Sequence, residues 1–466
     1  MLRVVLFGYL FLSVFIASAQ LTYTLRYNDS TSSKIKIDIQ PETPWTAPIC
    51  FIMPRSVPGT YSITMYDQFI ENLYAIDEIG KKHAMNKDEN DAPRWYYSDT
   101  TTRIRSIVYE VQVDNMEKKL TPADASAIRA DFAGILNYSL LGWIEGTENE
   151  HVQCTIETFA NWPIFTTINP DVNPAGHTTF KTSNYYSLAD AQIFMGPGFT
   201  VKEFKGIVPL YIVSYSQTGE QFLDDYGKQG IASLGILKDY FGEIPFTHYS
   251  ILLRNVIPLL PGHHSAFGME HLQSSTFFGD TSGMRKDPMS EKDVINTMPT
   301  FLHHMGHAFI PLRSYGDTYL PHVLEIPPVI NNIWFNEGFM WFLPYDTLQL
   351  KRMKNNFDKS VYSTSPLIKK MSLFQLSQTA STIYALDFRI GRSVYSRGAL
   401  MAMEMNEYLK KKSNNKKSMK DVFRYFYQWT KKNNRAFTME EFPVLLNKAC
   451  NIDLRPIYTK WKLPVK

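Results

Sequence analysis

From Gln20 to about residue 160, hydrophobic and polar residues alternate. Ile35, Ile37 and Ile39 take every second place in KIKIDIQ, Ile107, Tyr109, Val111 and Val113 do so in SIVYEVQVD, and Val152, Cys154 and Ile156 in HVQCTIE. Period two puts successive side chains on opposite faces of a strand, so these runs predict an antiparallel sandwich with one wet face. Pro54, Pro58 and Gly59 make MPRSVPGTY a turn. Between residues 160 and 200 the pattern becomes irregular, with Pro163, Pro170, Pro174 and the pair Gly196-Pro197. A domain boundary is expected near residue 200.

Beyond it the period lengthens. Ile231, Leu234, Leu237, Tyr240 and Phe241 share a helical face, which Gly242 and Pro245 end. HYSILLRNV predicts a strand, PGHHSAFG a loop with His263 and His264, and GMEHLQSSTFFG an edge strand. Ser290 with Asp293 resembles a capping box, Pro299 suits the first turn of a helix, and Pro311 ends that helix. Ile333 to Leu343 predicts a second amphipathic helix. From about 346 onward the pattern is helical, with Val422, Phe423, Phe426 and Trp429 spaced for a buried face.

Length and composition add bounds. A chain of 466 residues is expected to form several domains, and 44% hydrophobic with 20% charged residues is the balance of a soluble globular protein. A net charge of +3 gives no footprint for a nucleic-acid partner, and the run Lys410–Lys412 with Lys416 and Lys417 reads as a solvated loop. Residues 1–19 read as a secretory signal: Arg3, an apolar core from Val4 to Ile16, then Ala17-Ser18-Ala19 before Gln20. Cleavage near Ala19-Gln20 would deliver a periplasmic or secreted protein. That apolar run is too short for a comfortable span and no later one is longer, so no membrane insertion is expected. Three cysteines, Cys50, Cys154 and Cys450, do not make a disulfide scaffold. A Cys50–Cys154 bridge and a pair of buried free thiols both remain open.

The chemistry concentrates in TFLHHMGHAFIPL and WFNEGF. His303 and His307 lie four apart, on one face of a helix, and Glu337 follows thirty residues later. Two histidines and a glutamate with an open fourth position are the ligand set of a hydrolytic zinc site, here for one Zn²⁺. The usual signature is H-E-x-x-H, with the glutamate as general base. His304 stands in that position. His263 and His264 read as ordinary loop residues, and His271 as a residue that orients its neighbours.

These residues give the chain a likeness. It resembles the gluzincin metallopeptidases, most closely the glycyl aminopeptidase family, metallopeptidase family sixty-one. Four stretches carry it: H-x-x-x-H with WFNEGF thirty residues on; GMEH, like the family's G-[LM]-E-H; YSRG, Tyr395 to Gly398, like its Tyr-x-Lys-Gly; and MPRSVPGTY, like its Pro-Gly-Ser-Tyr turn. No C-terminal PDZ-like domain, which longer members carry, is seen. The resemblance implies an α+β multidomain chain, with a signal peptide (1–19), an N-terminal antiparallel β-sandwich (20–200), a thermolysin-like α/β gluzincin domain holding the zinc site (201–345) and a C-terminal helical domain (346–466). It implies that His303, His307 and Glu337 bind zinc. Glu270, with Gly268 and Met269 on the edge strand, would line a peptide-binding cleft, the Glu270 carboxylate holding a free α-amine. Tyr395 would donate its O–H to the developing oxyanion. Arg313 falls where the family also has a basic residue, with no role assigned.

His304 departs from the pattern. A neutral imidazole is a chemically reasonable base, yet its reach from the helix differs from that of glutamate. The expected function is therefore an exported zinc aminopeptidase with His304 in the base position. The alternatives are a pseudopeptidase that binds zinc and peptide termini, and a structural protein without metal.

Overall fold

The structure is a computed structural model that describes residues 20–121, 124–173, 175–217, 222–257, 259–260, 267–280, 291–384 and 386–465. The signal segment, His263, His264 and Ser290 of the expected capping box lie outside the described residues.

The alternating runs form strands. Gln20–Arg26, Lys34–Pro41, Ile70–Asp77, Arg103–Gln112, His151–Glu157 and His177–Thr182 belong to one eight-stranded sheet, and two four-stranded sheets complete the N-terminal part. Leu21, Ile35, Ile107, Val152 and Phe180 of the large sheet share a core with Phe51, Trp95 and Trp143 of a smaller one. The large sheet is not purely antiparallel: Gln20–Arg26 runs parallel to His151–Glu157, in register from Gln20 opposite His151 to Arg26 opposite Glu157. A parallel pair needs a long crossover, and the whole of residues 27–150 lies between the two strands. Cys50 and Cys154 sit on different sheets, and both are buried free thiols, as is Cys450.

A second, five-stranded sheet begins at Phe199. Its order is Phe199–Phe204, Leu210–Ser216, Tyr249–Val256, Ser274–Asp280, Phe267–Glu270, parallel at its centre and antiparallel at both ends. The helix Leu223–Phe241 makes the crossover between the first two parallel strands and ends at Gly242, whose φ of +90° suits a residue without a Cβ. GMEH lies on the edge strand, and SSTFFGD, the other half of that stretch, is its inner partner. Phe132 stacks on Tyr215 at 3.8 Å and joins this sheet to the N-terminal part.

The motif helix runs Glu291–Gly306, so Pro299 lies inside it rather than in its first turn. The expectation placed the start about two turns late because it took the proline as a first-turn residue, although Val294, Ile295 and Met298 already continue the apolar spacing of Phe301, Leu302 and Met305. Ile333–Leu343 is not amphipathic: only Trp341 escapes burial. A π-helical turn, Trp334–Phe339, opens this run and continues as the helix Met340–Leu348. The C-terminal helices pack around it, with Phe388–Lys412 the longest and Met419–Asn433 burying Val422, Phe423 and Phe426. One continuous core takes in Leu237, Ile251, Leu302, Trp334, Met401 and Phe426, so the five-stranded sheet, the motif helix and the C-terminal helices pack as one body. Among the described residues, no helix is long and apolar enough to cross a membrane.

Candidate metal and peptide site

The two elements that carry the ligand motif meet in that core. His303 Nε2 and His307 Nε2 lie 3.0 Å apart, and each is 3.4 Å from Glu337 Oε2. Zinc bonds of about 2.0–2.2 Å in a tetrahedron give ligand edges of about 3.3–3.6 Å, so the two edges to Glu337 have the size of a zinc polyhedron's and the His–His edge is slightly shorter. His307 Nδ1 faces the carbonyl oxygen of Ile310 at 2.9 Å. A proton held there for that bond leaves the Nε2 lone pair facing inward, as a metal-ligating histidine requires. Trp341 stacks on the His303 ring at 4.0 Å and fixes its plane. His303 Nδ1 is buried without a partner. The donors fit the ion.

The same pocket is electrostatically unusual. His303, His307, Glu337 and Glu270 are only 2%, 0%, 4% and 4% exposed, so each carries the full penalty for being charged away from water. Burial and the neighbouring His307 lower the His303 pKa to about 3. Burial also acts against charge on His307, but Glu270 and Glu337 outweigh it and raise its pKa to about 9. Burial is likewise overcome at Glu337, which His307 and His303 hold well below the usual carboxylate range.

His304 reaches the same pocket, with a ring nitrogen within 4.8 Å of ring nitrogens of His303 and His307. Its Nδ1 lies 3.4 Å from Glu270 Oε2, and Phe277 meets its ring edge-on at 5.4 Å. A Cβ on Gly268 would collide with His304 Nε2, which is the steric reason for glycine there. Glu270 and Gly268 thus flank His304. Met269 does not point the same way: strand alternation sends its side chain into the N-terminal core, leaving only its main chain for a peptide. Tyr395 stacks on Tyr384 with ring centroids 5.6 Å apart. Burial, then the Glu337 charge, raises the pKa of its phenol well above the ordinary value, so it remains an O–H donor. His271 lies apart from the ligand trio. It contacts Gln192, and its Nδ1 is 3.1 Å from Asp190 Oδ1, the orienting role expected of it.

The N-terminal turn supplies what sequence reasoning missed. Tyr61 donates its O–H to Glu337 Oε1 at 2.7 Å, across 276 residues of chain. Two residues earlier, Gly59, at φ +89°, packs directly against the Glu270 carboxylate, where a Cβ would clash. MPRSVPGTY was legible as a turn, but no periodicity ties residue 61 to residue 337. Tyr61→Phe removes only the hydroxyl that orients a metal ligand. It is expected to lower zinc affinity about 10- to 100-fold with the fold retained, as read by competition with a chelator.

Comparison with known proteins bears on the fold. Residues 22–197 match the model of the Peptidase M61 N-terminal domain. No curated protein matches the chain. Among solved structures it is similar to an aminopeptidase N family protein from Idiomarina loihiensis, with a TM-score of 0.80 at 18% identity over 96% of this chain and 76% of that one. It is also similar to the M1 zinc metallopeptidase from Deinococcus radiodurans, with a TM-score of 0.55 at 11% identity over 96% and 93% of the two chains. A mutant of that enzyme bound to a Tyr-Ser-Ala substrate gives 0.55 at 11% identity over 97% and 95%. At these identities the likeness is one of fold. Residues 22–197 are thus similar to the Peptidase M61 N-terminal domain, and the chain as a whole shares its fold with these aminopeptidase N family and M1 zinc metallopeptidase structures.

Proposed function

We propose that the protein is an exported zinc aminopeptidase that removes N-terminal residues from peptides, with His304 in place of the usual glutamate base. The observation that carries this reading is the His303–His307–Glu337 face, of zinc size, placed beside a strand at the edge of its sheet. An edge strand has unpaired main-chain groups and can take an extended peptide by strand addition. Bound zinc would supply Lewis acidity, acidifying water and polarising the carbonyl to be attacked. Glu270 would hold the α-amine, since a buried carboxylate is stabilised by an incoming cation and its Oε1 has no partner. His304 would accept the proton of the attacking water at Nε2, with Nδ1–H directed at Glu270. Tyr395 would donate to the oxyanion.

The test combines metal analysis with turnover. The expected result is about one zinc per chain, hydrolysis of aminoacyl amides but not of their N-acetylated forms, and loss of activity on chelation or in His303→Ala. A zinc-loaded wild type inactive on a broad panel, beside an active His304→Glu, would sink the proposal. One observation favours a second reading, a pseudopeptidase that binds zinc and peptide termini. Glu270 Oε2 already lies against His304, so only Oε1 is left for an amine and the imidazole occupies part of the amine site. Peptide binding without turnover would select it. Export rests on residues 1–19, and a mature N-terminus at Gln20 would support it.

A further inference from the structure

Arg313 stands behind the candidate cleft with its charge unmatched. Its Nη1 donates to the carbonyl oxygens of Leu272 and Ala308, both at 2.7 Å. It thereby ties the turn after Glu270 to the residue after His307. Neither acceptor carries a formal charge. Among the described residues no carboxylate lies within ion-pair distance of its guanidinium. The nearby acids are committed elsewhere. Asp190 accepts from Tyr138 and from the Leu272 N–H, and also faces His271. Glu243 pairs with Lys431 at 2.6 Å and accepts from Tyr427. Burial lowers the Arg313 pKa, as expected of a cation short of counter-charge. Mostly buried cations are ordinarily paired, because the unpaired form bears the desolvation cost alone.

Two cavities reach this guanidinium. The smaller, of about 360 Å³, also contains the Asp190 carboxylate, which would repel an anion. The larger, of about 610 Å³, is lined by Arg313 together with Tyr315, Tyr427, Thr430, Lys431 and Asn434. Its one acid, Glu243, is neutralised by Lys431 and accepts from Tyr427, while the Tyr315 hydroxyl and the Asn434 amide stand beside the cation. The planar guanidinium of an arginine lining such a groove matches the planar oxygens of a carboxylate or phosphate.

We propose that this groove is an oxyanion-binding site centred on Arg313, taking a carboxylate or phosphate group, distinct from the metal and edge-strand site. It does not depend on the peptidase reading. The shared chemistry has two sources, a phosphate and the carboxylate of a peptide or amino acid, which separate experimentally. Full-length mature protein is titrated with inorganic phosphate, with N-acetylglycine and with N-acetylglycine amide at constant ionic strength, following Tm and heat of binding. Saturable binding of phosphate or of N-acetylglycine is expected, with a Tm rise of about 2 °C near saturation and no response to the amide. Arg313→Gln should abolish the response, Arg313→Lys should retain it more weakly, and Lys181→Gln, in the smaller cavity, should leave it intact. If Arg313→Gln does not fold, calorimetry on the wild type and Arg313→Lys decides. Absence of saturable binding of either anion to the wild type, or an unchanged response in Arg313→Gln, overturns the proposal.

Discussion

His304→Glu should raise kcat/KM on aminoacyl substrates by about 10²-fold, within the 10²–10⁴ that a well-placed general base contributes. The reason is geometric. His304 has the chemistry of a base, but its ring is held between Gly268 and Glu270, with Nδ1 3.4 Å from the carboxylate expected to receive the substrate amine. A proton acceptor engaged by the amine site cannot serve both partners freely. A carboxylate at position 304 would leave Glu270 open to the amine and present two oxygens where the imidazole presents one free nitrogen. The measurement is steady-state kinetics on both proteins at equal zinc content, since a changed metal load would mimic a changed base. An unchanged or lower kcat/KM would mean that His304 is already a competent base, or that the barrier lies in opening the cleft.

Much of this site was legible because its donors sit at fixed spacings on regular elements. His303 and His307 are one helical turn apart, and a helix puts both rings on one face. Glu337 followed from the family-like WFNEGF rather than from any period, since the segment is buried on nearly every side and its turn is π-helical. Such bulges often mark functional sites, yet their hydrogen-bonding pattern leaves no trace in hydrophobic spacing. Alternation likewise predicted the N-terminal strands, but it cannot distinguish a parallel neighbour from an antiparallel one, so the pairing of Gln20–Arg26 with His151–Glu157 was missed. Tyr61 was invisible for a different reason. Its contact with Glu337 joins two domains, and long-range pairing of single polar groups is set by the tertiary fold.

Gly398→Ala should be among the most damaging single substitutions outside the ligands, although alanine is the better helix former by about 1 kcal/mol. Gly398 lies in Phe388–Lys412 where that helix crosses the Glu337 turn. A Cβ there would run into the Trp334 carbonyl oxygen and come within 3.0 Å of the Gly338 Cα. The reverse holds at Gly338, where a Cβ would lie 2.5 Å from the Gly398 Cα and 2.7 Å from the Tyr395 carbonyl oxygen. Main chain on main chain cannot relax by a rotamer change, so the two elements must separate, at a cost of about 1–3 kcal/mol or more in strain. The separation falls on Glu337 and Tyr395, which neighbour the two glycines. Metal donors tolerate displacements of only about 0.2 Å, so zinc affinity should fall at least about tenfold even in molecules that remain folded. Gly235→Ala is the control, because its Cβ would meet nothing within 4 Å in the Leu223–Phe241 helix. It should stabilise by about 0.5–1 kcal/mol and leave zinc binding unchanged. Thermal unfolding with parallel chelator competition reads both quantities. Opposite signs for the same chemical change would show that Gly398 is glycine for close approach, because the YSRG helix can hold Tyr395 over the site only where it touches the Glu337 turn.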